Sequence, residues 1–89
     1  MHYRGEAGAS AARRVAAELR ARGYGRTELR QVSFAVARAN VRYFHDQNRP
    51  VAREVNELLG SMWRRSDLRD FTGYAPLPSV GTVEVWLPG

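Results

Sequence analysis

Hydrophobic positions recur at three- and four-residue steps along most of this chain and at two-residue steps near its end. In the first stretch Ala12, Val15, Ala16 and Leu19 share one side of a helical wheel, while Arg13, Arg14, Glu18 and Arg20 fall elsewhere. That spacing predicts a helix over 11–22, with Ser10 as its N-cap after a flexible lead of residues 1–9 and Gly23 as its left-handed stop. Only Val15 and Leu19 are large, so the stripe is thin and the helix is expected near solvent or a partner.

The second stretch carries two stripes. Leu29, Val32, Val36, Ala39 and Tyr43 form one seam, and Phe34, Ala37, Val41 and Phe44 form another roughly 140° away at about 100° per residue. The pattern predicts a helix over 28–47, capped by Thr27 and covered on two sides at the centre of the molecule. Ser33 and Asn40 fall between the seams, where each needs a hydrogen-bond partner if buried.

Asn48-Arg49-Pro50 marks a stop and restart, since proline suits a first helical turn. Val51, Val55, Leu58 and Met62, flanked by Leu59 and Trp63, predict a third helix over 50–64 in which Gly60 marks a close crossing. Ser66-Asp67-Leu68-Arg69 reads as one capped turn ending near Phe71. Beyond it, Thr72 to Ser79 is rich in glycine and proline, and Thr82 to Leu87 alternates as a strand, with Val83, Val85 and Leu87 opposite Thr82, Glu84 and Trp86. The expected fold is mainly α: a three-helix antiparallel bundle over 10–71, with a 72–89 tail ending in a short C-terminal β-strand. One strand cannot satisfy its own backbone, so it pairs with the N-terminal residues, with the Tyr74 region or with another chain.

Composition narrows the function classes. The chain has 89 residues and no cysteine, which leaves one core without disulfides, thiolate metal sites or cysteine nucleophiles. All 14 basic residues are arginine, and isoleucine is absent as well as lysine, as coding bias in a high-GC genome would produce. Arginine abundance is therefore weaker evidence for phosphate binding than a mixed basic composition would be. The net charge of +5 is nonetheless concentrated in residues 1–30, where seven arginines face three glutamates. Apolar runs are too short to cross a bilayer, and the first residues lack a signal-peptide core, so a cytoplasmic protein without a membrane partner is expected.

Catalytic chemistry finds little support. His45-Asp46 is the only adjacent His–carboxylate pair, and on a helix the two project about 100° apart. No metal-binding, calcium-loop or nucleophile-elbow motif occurs, so neither a metal, a cofactor nor a small-molecule substrate is expected. Gly23-Tyr24-Gly25-Arg26-Thr27 has two glycines before a predicted helix but follows a helix rather than a strand and reads as a turn.

What remains is a non-enzymatic protein-binding module that acts by occupying a surface. Its expected contacts are Tyr74, Val83, Val85, Trp86 and Leu87, and its partner is another protein or a second copy of itself as a homodimer. Small size and the lack of catalytic motifs suit, by analogy of type alone, an inhibitor of the phage or mobile-element kind, such as anti-CRISPR proteins. The alternative is a basic helical nucleic-acid-binding protein contacting phosphates through Arg13, Arg14, Arg20, Arg26 and Arg30.

Overall fold

The structure, a computed structural model, describes residues 1–24, 30–31 and 36–88, with Arg30 and Gln31 described through their backbone alone. Strand β1 (His2–Tyr3) leads into helix α1 (Gly5–Ala21), which returns the chain to β2 (Arg30–Gln31). Strand β3 (Ala39–Tyr43) is followed by a 3-10 turn over Asp46–Asn48, helix α2 (Arg49–Trp63) and β4 (Ser66–Asp70), and β5 (Val83–Trp86) comes last. The strands form one mixed sheet of order β2-β1-β5-β3-β4. Two β-α-β units, each with its own strands parallel, thus lie on either side of β5, which runs parallel to β1 and antiparallel to β3.

The three-helix bundle is corrected by this architecture to an α/β fold with two α-helices. The helices predicted over 11–22 and 50–64 are present as α1 and α2, but the described residues of the predicted 28–47 helix hold β2, β3 and the 3-10 turn. Ala39, Val41 and Tyr43 are buried on the helix-facing side of the sheet, while Asn40 and Arg42 point to the other side. That two-residue period gives the β-branched and aromatic side chains a single core face, and such residues favour strands. Over Ala39–Tyr43 the true period is two, which the two helical seams concealed. The capped turn expected at Ser66–Arg69 is likewise the edge strand β4.

The lead and the tail are structural too. His2–Tyr3 is a strand, and α1 begins at Gly5 rather than after Ser10, because Gly5 adopts a φ of 70° that only glycine takes easily and turns β1 straight into the helix. The C-terminal strand sits at the centre of the sheet. It pairs with β3 from Val83 to Trp86 and with β1 at Trp86, and Leu87 N donates to His2 O at 2.9 Å. Both helices cover one face, where Ala12, Val15 and Leu19 of α1 and Ala52, Val55, Leu58 and Leu59 of α2 join Val41, Val85 and Leu87 in one core. Each fully buried Val or Leu contributes about 1.5–3 kcal/mol, and Val15, Val41, Leu59 and Leu87 are the largest such side chains.

Two boundaries follow local chemistry closely. At the end of α1, Gly23 has φ 86°, its N–H donates to Arg20 O, and Tyr24 N donates to Leu19 O, each at 3.0 Å. This is a Schellman cap, completed by Tyr24 packing against the core. Helix α2 has Pro50 in its first turn. Gly60, by contrast, marks no close crossing, since a Cβ there would meet nothing within 4 Å.

Candidate functional site

With both helices on one side, none of the described helices lies over the opposite face of the sheet. In-register pairing sets which side chains share that face: His2 beside Trp86, Trp86 beside Asn40, Asn40 beside Asp67, and Arg42 between Glu84 and Arg69. His2 and Trp86 stack with ring centroids 3.9 Å apart and planes within 6° of parallel. The Arg42 guanidinium carbon lies 4.2 Å from the Trp86 ring centroid and 5.0 Å from that of Phe71. Phe71 in turn stacks on Phe44 at 5.7 Å, and Tyr74 packs against both. A row of flat groups, His2, Trp86, Arg42 and Phe71, therefore crosses the sheet. Each cation–π contact in such a row is worth roughly 0.5–2 kcal/mol, rising with desolvation.

The polar groups of this face hold Arg42 in place. Arg42 Nε donates to Asn40 Oδ1 at 3.0 Å, and Asn40 Nδ2 donates to Arg38 O at 3.2 Å, so buried Asn40 has the partners the sequence demanded of it. Trp86 Nε1 donates to Glu84 Oε1 at 3.1 Å. Burial pulls the Arg42 guanidinium below its ordinary pKa, and the positive charge of Arg69 adds to that pull, while Glu84 and Tyr74 oppose it. Asp67 lies 3.8 Å from Arg38 and 3.7 Å from Arg65, two half-exposed contacts of little energetic weight.

These residues border an open groove of about 460 Å³, lined by Arg38, Asn40, Arg42, Asp67, Arg69 and Trp86 together with Val36 and Ala37. Three guanidinium groups against one carboxylate make its lining cationic. Its volume falls in the range of roughly 300–1,000 Å³ common to ligand sites.

The residues expected to bind a protein partner divide. Val85 and Leu87 are buried in the core, Val83 packs against it, and β5 pairs with β3 along its length and with β1 at Trp86. Trp86 belongs to the aromatic row, and Tyr74, 57% exposed, lies in the segment after β4 with exposed Leu77 and Val80. His45 Nε2 and Pro78 O, 2.8 Å apart, and Asn48 Oδ1, which accepts from Gly81 N at 2.9 Å, fasten that segment to the end of the sheet.

The nucleic-acid candidates divide similarly. Arg13, Arg14 and Arg20 are exposed on α1, on the helix-covered side and away from the groove. Arg26 and the side chain of Arg30 lie outside the described residues, as does Ser33. Sequence reasoning missed Arg38, Arg42, Arg69, Phe71 and His2 as a set. The alternation at 39–43 could have placed Arg42 opposite the core, but its neighbours depend on strand register.

Among the described residues no group of three or more His, Cys, Asp or Glu side chains could hold a metal ion. No helix among them is long and apolar enough to cross a membrane. No protein-family model, curated protein or solved structure matches the chain.

Proposed function

We propose that this chain is a non-enzymatic nucleic-acid-binding protein whose contact surface is the face of the sheet opposite α1 and α2. The observation that carries the reading is the placement of Arg38, Arg42 and Arg69 around one groove beside Trp86. Cationic grooves with aromatic walls track a phosphate backbone while their rings meet bases. Exposed Arg13, Arg14 and Arg20 on the far side add to the long-range field that draws a polyanion in. Self-association through the groove face is less favourable, because it would bring like-charged arginines together.

The test is fluorescence anisotropy with labelled poly-thymidine, poly-uridine and duplex DNA over a range of salt. Neutralising about three phosphates on a single strand gives a slope of roughly −2 in log affinity against log salt. Arg38→Glu with Arg69→Glu, both at exposed positions, should abolish binding while the protein still melts cooperatively. Failure of all three nucleic acids to bind at low salt, or binding that ignores these reversals, would overturn the proposal.

A second reading rests on the exposed apolar side chains Tyr74, Leu77 and Val80, which suit contact with another protein. Co-sedimentation of a partner that is lost in Tyr74→Ala but kept in the arginine reversals would favour it.

A further inference from the structure

We infer that Arg42 and Arg69 form a recessed phosphate clamp that admits single-stranded nucleic acid and excludes the duplex. This rests on the nucleic-acid reading above and names its ligand class.

Arg42 and Arg69 stand directly opposite each other on β3 and β4, on the same face of the sheet. Like charges in that relation repel and destabilise a sheet. On the β5 side Glu84 stands opposite Arg42, but its carboxylate also accepts the Trp86 indole N–H. Among the described residues neither Arg42 nor Arg69 has an ion pair, although Arg38 and Arg65 both approach Asp67. An anion between the two guanidinium groups would turn the repulsion into two attractions.

The Arg42 guanidinium is held for that task. Trp86 and Phe71 sit against it, and Asn40 takes its Nε–H, which leaves the terminal amino groups as the donors available to a ligand. A planar fork fixed in this way loses little freedom when it grips two oxygens of one phosphate. Exposed Arg69 is the mobile arm that closes on the other side.

Access decides which nucleic acid fits. Arg42 is half-buried between its two rings, and the groove beside it is also lined by Val36 and Ala37. A flexible strand can turn one phosphate into the clamp while the attached base lies in the groove against Val36 and Ala37. A duplex carries its phosphates on a stiff convex surface with the bases paired inside, so it meets the exposed rim of Arg38 and Arg69 without reaching Arg42.

The experiment compares labelled poly-thymidine, poly-uridine and a blunt DNA duplex at one salt concentration, with sodium phosphate and thymidine monophosphate as competitors. Wild type should bind both single strands at least about tenfold more tightly than the duplex, as loss of a bidentate arginine contact would imply. Arg42→Lys keeps the charge but not the planar fork, and should erase most of that preference. Arg69→Gln, at an exposed position, should weaken binding of strand and duplex alike, because both reach Arg69. Thymidine monophosphate should compete better than inorganic phosphate, since it also fills the base seat. Equal affinity for strand and duplex, or an Arg42→Lys protein that is folded and unchanged in preference, would overturn the clamp while leaving nucleic-acid binding in place. Loss of all binding in wild type would remove the broader reading with it.

Discussion

Two glycines show how much a single position depends on its backbone angle. Gly23 has φ 86° in the cap of α1, where a side chain is strained, while Gly60 lies inside α2 with open space around its missing Cβ. The same substitution therefore has opposite signs. Gly23→Ala should cost about 1 kcal/mol and lower the melting temperature by roughly 4–8 °C. Gly60→Ala should raise stability by up to about 1 kcal/mol, because alanine loses less backbone freedom in a helix. Thermal melts of both variants check the pair, and a neutral Gly23→Ala would remove the cap as the reason α1 stops. Gly23 was legible in the sequence because a Schellman cap is a local event, closed by hydrogen bonds between residues 19–24. Arg42 was not, since its neighbours Arg69, Glu84, Trp86 and Phe71 come from β4, β5 and the segment after β4.

At the scale of elements, the ambiguity lay between residues 36 and 44. Helical seams assign Val36 and Val41 to two buried faces, so a charge at either should be equally damaging. The sheet separates them: Val41 is 0% exposed in the core, whereas Val36 is half-buried and lines the groove. Val41→Asp should unfold the protein or destabilise it by at least about 3 kcal/mol, by placing an unpaired charge in the interior. Val36→Asp should cost no more than about 1 kcal/mol. Comparable chemical-denaturation midpoints for the two variants would contradict the strand assignment. Alternation over Ala39-Asn40-Val41-Arg42-Tyr43 was visible in the sequence, yet five residues satisfy helical and strand periods together when alanines and aromatics dominate. Tertiary pairing on both sides of β3 settled the choice.

For the molecule as a whole, β5 is the joint between two β-α-β units, and this reverses the expectation for the tail. An appended strand could be deleted with the helices intact, but a central one carries Val85 and Leu87 into the core and pairs with β1 and β3. Removing residues 83–89 should abolish the cooperative melt and the near-ultraviolet signal of packed aromatics. A truncated protein that melts near the wild-type temperature would return β5 to the role of an accessory strand. The sequence by itself determined what local chemistry controls: the stop of α1 at Gly23, the proline-led start of α2, the alternating faces of β5 and the excess of arginine. Only the tertiary structure decided that residues 39–43 are a strand, that β5 lies at the centre, and that Arg42 meets Trp86, Phe71 and Arg69. The difference is physical, because a helix bonds to itself within four residues, whereas a strand takes its partners and its register from segments far away along the chain.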